Sequence, residues 1–145
     1  NIDFRHLLFA FSSEAVEFLV VGAYAYIHFA DPRYTKDLAV WVARSEENAT
    51  RILSALKRIG APVSHLSLAN FIEPDTVVQF GVPPNRIDIL TTIDGVTFEE
   101  AWPNRIETTY GGVPIFVISK ADLITNKRAS GRPQDLLDLA RLLDD

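Results

Sequence analysis

The sequence predicts an α/β fold: a mixed sheet flanked by helices, with a pair of helices at its C-terminal end. Three observations carry this. Short runs rich in branched residues at 18–22, 37–42, 76–81 and 85–90 read as strands. A capped apolar stripe of helical period spans 45–59. A Gly-Gly hairpin signal is then followed by two more helical stretches.

Asp3–Phe11 mixes apolar and charged residues at helical spacing, with Ser12-Ser13 as its end. Phe18–Gly22 is a buried strand closed by Gly, and Ala23–Ala30 is a helix broken by Asp31-Pro32. Along Asp37–Val42, Leu38, Val40 and Val42 share one face while Asp37, Ala39 and Trp41 share the other. Ser45 caps the next helix, Glu46 and Glu47 suit its positive end, and Gly60 and Pro62 end it. Ser64–Phe71 fits either class.

Thr76–Gly81 and Asn85–Leu90 read as strands joined at Pro83-Pro84, with Arg86, Asp88 and Leu90 facing one way. Phe98–Trp102 fits one helical turn. Ile106–Tyr110 and Val113–Ile118 form a hairpin around Gly111-Gly112, and Pro114 predicts that its second arm is a sheet edge. Ser119 with Asp122 opens a helix to about Ala129, and Gly131 breaks it. Pro133 starts a last helix whose apolar side is Leu136, Leu137, Ala140 and Leu143. The expected organisation is one unit over 1–145, a sheet core over about 1–118 and C-terminal helices over 119–145.

Composition narrows the function classes. The 145 residues carry 14 Lys+Arg against 19 Asp+Glu, a formal charge of −5, which argues against bulk binding to duplex nucleic acid. With no Cys there is no disulfide scaffold, Cys zinc site or thiol chemistry, and the expected compartment is the cytoplasm. The longest apolar run, Phe18–Ile27, is ten residues, against the roughly 20 of a membrane helix. Met is absent even at the first position, so a short leading piece is expected ahead of Asn1.

Asp37 and Asp88 each stand on the polar face of an otherwise apolar strand. Burying an unpaired charge is expensive, so both need partners. If the strands are neighbours, the carboxylates meet on one side of the sheet. Such a pair suits Mg²⁺ with substrate phosphates, or it serves two salt bridges, to Arg33 or Arg86.

Phe18-Leu19-Val20-Val21-Gly22-Ala23-Tyr24-Ala25 followed by Arg33-Tyr34-Thr35-Lys36-Asp37-Leu38 resembles the polymerase-β-type nucleotidyltransferase superfamily. It is most similar to small bacterial stand-alone members and the abortive-infection (AbiEii-like) toxin group. Their pattern is an apolar strand, Gly-Gly or Gly-Ser, a helix, then Arg-x-Thr/Ser-x-Asp-apolar-Asp. Asp88 in Arg86-Ile87-Asp88-Ile89-Leu90 matches the family's third Asp. The tail from Lys127-Arg128 through Arg132 and Asp135 to Asp138-Leu139 resembles that group's C-terminal segment. The resemblance spans about 17–143.

It implies transfer of a nucleoside monophosphate from a Mg²⁺-bound nucleoside triphosphate to an acceptor such as a tRNA end, a protein hydroxyl or a small molecule. Gly22 and Ala23 would face the phosphates, with Arg33, Thr35, Lys127 and Arg132 as further nucleotide-binding residues. Asp37 and Asp88 would be the metal-binding and catalytic carboxylates, and Asp135 would orient the tail. The family's second Asp falls at Ala39, which has no ligand atom. Losing even an outer-shell partner costs metal sites ~10–100-fold. Three readings stay open: an impaired transferase, with Ala39 a natural variant or a replaced aspartate; an inactive nucleotide- or partner-binding module; and a plain interaction domain with no ligand. A toxin–antitoxin or defence role, with a protein partner, is implied by the resemblance alone.

The remaining candidates have plainer readings. His6, His28 and His65 share no metal spacing. Trp41 either stacks on a base or packs in the core. Lys57-Arg58 suits a helix C-terminus, and Asp135 with Asp138 suits a solvated or salt-bridged face. No Walker motif, dinucleotide fingerprint or serine elbow is present.

Overall fold

The computed structural model describes residues 3–32, 35, 37–82 and 85–144. Helix α1 (Phe4–Ser13) leads into strand β1 (Phe18–Val21), helix α2 (Gly22–Phe29), strand β2 (Asp37–Val42) and helix α3 (Glu46–Arg58). Strands β3 (Val77–Phe80) and β4 (Arg86–Leu90) follow, then a short helix α4 (Phe98–Ala101), the hairpin β5 (Ile106–Tyr110) and β6 (Val113–Val117), and helices α5 (Lys120–Ser130) and α6 (Pro133–Leu143). The ambiguous stretch 64–71 contains a short 3₁₀ turn over Leu68–Phe71. The Pro83-Pro84 turn lies outside the described residues. No described helix is long and apolar enough to cross a membrane.

The six strands form one mixed sheet in the order β3-β4-β2-β1-β6-β5. β2 pairs with β4, and β1 with β6, in parallel; the other pairs are antiparallel. Period-two alternation sorts the two faces. Leu38, Val40, Val42, Ile87, Ile89, Val78 and Phe80 make one face and are all buried. Leu8 of α1 shares a small cavity with Val20 and Leu38 of this face, and α1 packs on α3.

The opposite face carries Asp37, Ala39 and Trp41. Phe98 of α4 closes its far end, with its ring edge-on to Trp41 at 5.1 Å and stacked on Trp102 at 5.4 Å. Trp41 is 1% exposed, a packed residue.

Caps set the ends of the helices. Asp3 accepts from the Arg5 and His6 amides, and Ser45 from the Asn48 amide. Buried Asn48 accepts from the Glu17 amide and donates to the Glu17 and Ala43 carbonyls, tying the entry of β1 to the exit of β2.

Two expectations are corrected. Pro114 does not mark an edge: β6 lies inside the sheet, and β5 is the edge. β1 meets β6 only at Val20–Val117, so the missing Pro114 N–H faces no ladder partner, and its carbonyl accepts from Ser12. The second correction is α6, whose apolar stripe faces outward. Leu136, Leu137 and Leu143 are 54%, 65% and 53% exposed, whereas Asp135, Asp138 and Leu142 are buried. The cause lies in α5, where the buried Lys127 supplies the charge that lets two carboxylates face inward.

Candidate functional site

The site grows from three strand ends. β1 ends at Val21, and Gly22 turns the chain into α2 with φ of +67°, a left-handed conformation that favours glycine. Among the described residues no side chain caps the N-terminus of α2, and such a helix end suits an anion. A Cβ on Gly22 would stand 3.3 Å from the Ala39 Cβ, so this turn sits directly against β2. In the ladders Val21 pairs with Ala39, Ala39 with Asp88, and Asp37 with Arg86. Thr35 precedes this end of β2, and its hydroxyl contacts the Asp37 amide at 3.4 Å.

Thus Gly22, Ala23, Thr35, Asp37, Ala39 and Asp88 gather at one end of the sheet. Arg33 lies outside the described residues.

Arg86 joins the two carboxylates. Its Nη2 donates to Asp37 Oδ2 at 3.1 Å and to Asp88 Oδ2 at 3.4 Å. Its Nε lies 3.4 Å from Asp88 Oδ1, but these two buried atoms are too poorly aligned to hydrogen-bond. Burial pushes the Asp88 carboxyl above the usual range and the Asp37 charge adds to this, while the Arg86 charge and a Gln79 hydrogen bond oppose it. Gln79 is the register partner of Asp88 on β3. Sequence reading missed it, although alternation with the buried Val78 and Phe80 puts it on the Asp88 face.

Mg²⁺ is the ion the resemblance implies, and the donor set does not fit it. Position 39 offers a methyl, and the described residues hold no group of three acidic or histidine side chains that could grip a cation. A guanidinium already bridges the carboxylate oxygens. Two like unit charges 4 Å apart repel by about 4 kcal/mol at an effective dielectric of 20, before solvent screening, so a divalent ion and Arg86 compete for these atoms.

Lys127 and Arg132 are engaged elsewhere. Lys127, 5% exposed, lies 2.9 Å from Asp138 Oδ2 and 3.7 Å from Asp135 Oδ1, with Tyr26 of α2 facing its ammonium at 5.9 Å. Gln134 also donates to Asp138. Arg132 Nε donates to Asp135 at 2.8 Å, but its side chain is 77% exposed and reaches solvent. Burial works to raise the Asp135 carboxyl, yet hydrogen bonds from Arg132 and Ser130 outweigh it and hold the group below the usual range.

The pair α5–α6 is tied to the preceding elements by Arg141 with Asp31 and by Asn126 with the Asp94 carbonyl. A separate cleft of about 840 Å³ lies at the opposite strand ends, lined by Trp41, Arg44, Thr91, Phe98 and Trp102 among others. Neither Asp37 nor Asp88 lines it.

No protein-family model and no curated protein matches the chain. Solved structures do. TM1012 from Thermotoga maritima, a candidate nucleotidyltransferase, superposes with a TM-score of 0.61 at 16% identity, over 97% of this chain and 89% of that one. ANT(2″)-Ia, in complex with adenylyl-2″-tobramycin, gives 0.58 at 12% identity, over 94% and 83%. The lincosamide antibiotic adenylyltransferase LnuA, with lincomycin bound, gives 0.54 at 13% identity, over 99% and 98%. These likenesses show that the chain has the nucleotidyltransferase fold.

Proposed function

We propose that the chain is a nucleotidyltransferase-like protein that takes a nucleoside triphosphate at the Gly22–Asp37–Asp88 end of its sheet, with transfer impaired at Ala39. One observation carries the reading: Ala39 stands in register opposite Asp88 and against the Gly22 turn, where the motif calls for a carboxylate. In this reading the amides of Gly22 and Ala23, at the start of a helix with no side-chain cap among the described residues, receive phosphate oxygens. Thr35 braces the start of β2 beside them. Arg132 offers its exposed guanidinium to a phosphate or the acceptor, while Lys127 holds the C-terminal pair together.

A second reading, an inactive nucleotide- or partner-binding module, is favoured by the Arg86 bridge, which already engages an oxygen of each carboxylate. Within the superfamily, the Arg33–Asp37 and Lys127–Asp138 motifs support kinship with the abortive-infection toxin group. The adenylylated-tobramycin and lincomycin complexes of two neighbours support a hydroxyl-bearing small molecule as one acceptor class.

Thermal melts with each nucleoside triphosphate test the shared core of both readings. Stabilisation is expected with at least one of them, about 2.7 kcal/mol at 100 times Kd, with amide shifts at Gly22 and Ala23. No stabilisation by any triphosphate at millimolar concentration would overturn the proposal.

A further inference from the structure

The metal that the fold implies and the side chains at its expected place disagree, and the disagreement has a definite shape. Asp37 and Asp88 do not face an empty gap. Nη2 of Arg86 lies between them, within 3.4 Å of an oxygen of each. The bridge is fixed by the fold: Arg86 is the register partner of Asp37 and stands two residues before Asp88 on the same face of β4. The Asp88 side chain is 16% exposed, so its charge needs a partner that water supplies only in part. Ala39, directly opposite, adds no charge to compete for the guanidinium. The local sum over Asp37, Asp88 and Arg86 is −1, too little to hold a dication beside an arginine that already takes the same oxygens. Arg33 and Lys36 lie outside the described residues and are not needed for this count.

We infer that Arg86 is the cation of the Asp37–Asp88 pair, and that no divalent ion binds there while Arg86 and Ala39 are both present. The arginine takes the place of the ion and leaves the three side chains at a net −1 without metal. This goes beyond the functional reading above, because it holds whether or not a nucleotide binds.

The test uses Mn²⁺ and the full chain without nucleotide, reading the free-ion signal by electron paramagnetic resonance. Nucleotide binding therefore plays no part, and failure here is separable from failure of the proposed function. The unmodified chain and Arg86→Lys are expected to show no Mn²⁺ binding that Asp88→Asn removes. Arg86→Gln frees two facing carboxylates, and is expected to bind one Mn²⁺ at least about tenfold more tightly than the parent. Asp88→Asn added to Arg86→Gln should abolish that binding.

Two results would overturn the inference. One is an Asp88-dependent Mn²⁺ site in the unmodified chain. The other is an Arg86→Gln protein that melts cooperatively yet binds Mn²⁺ no better than its parent. The first is read without any arginine variant, so a misfolded Arg86→Gln protein would not shelter the idea.

Discussion

The Lys127 ammonium lies 2.9 Å from Asp138 Oδ2, and both side chains are almost wholly shielded from water. This contact joins α5 to α6 and orients the whole C-terminal pair. Removing one partner of a buried ion pair leaves the other charge uncompensated. Lys127→Met should therefore cost about 3–5 kcal/mol in chemical denaturation. Adding Asp138→Leu should recover part of that loss, because the stranded charge goes with it. Equal and additive losses from the two substitutions would contradict this assignment.

The outward leucines of α6 make the converse case. Leu137 is 65% exposed and Leu142 is 1% exposed. Leu137→Lys should shift stability by no more than about 0.5 kcal/mol, while Leu142→Ala should cost about 2–5 kcal/mol. Thermal melts of the two proteins, run side by side, check the ordering.

That inversion also marks where sequence reading stops. The alternation in β2 was legible because only one face of Asp37–Val42 is apolar at every position, so Asp37 and Ala39 fall together. The Ser45-capped helix was legible for the same reason. In α6 two stripes compete, Leu136/Leu137/Ala140/Leu143 and Asp135/Asp138/Leu139/Leu142. Periodicity alone awards the core to the first. The decision rests on Lys127, a long-range partner contributed by another helix. Pro114 misled likewise, since its tolerance depends on how far β1 runs beside β6. At the candidate site, the two Asp residues were readable from their strands, and Arg86 stood among their candidate salt-bridge partners. That one guanidinium serves both carboxylates follows only from the β2–β4 register.

Gly22 should tolerate no side chain without cost. Its φ of +67° is left-handed, and a Cβ would press to 3.3 Å from Ala39. Gly22→Ala is expected to lose about 1–2 kcal/mol. If the anion-binding turn is also disturbed, nucleotide-dependent stabilisation falls beyond what the lower baseline explains. An unchanged melting temperature would contradict the described turn.

Acid should act on the two perturbed carboxyls in opposite senses. Asp135 is held below its ordinary value of 3.8, so its contribution is full above that value and is lost as pH falls through the lower folded-state value. Asp88 is raised above 3.8, so its ionisation weakens the fold as pH rises from 3.8 through the folded-state value. Asp135→Asn should flatten the loss of stability below pH 3.8, and Asp88→Asn should flatten the slope just above it. Denaturation midpoints between roughly pH 2 and 6 read both slopes.

The direct test of the functional reading is label transfer by the Ala39→Asp protein beside its parent. Each is incubated with Mg²⁺, every α-labelled nucleoside triphosphate and a lysate containing RNA, protein and small molecules. The substitution puts a third carboxylate in register opposite Asp88 and takes the local charge from −1 to −2, enough to draw a divalent ion against Arg86. The expected result is label on an acceptor with Ala39→Asp and little or none with the parent. Equal labelling by both proteins, or none by either despite nucleotide binding, would contradict the claim that Ala39 is what impairs transfer.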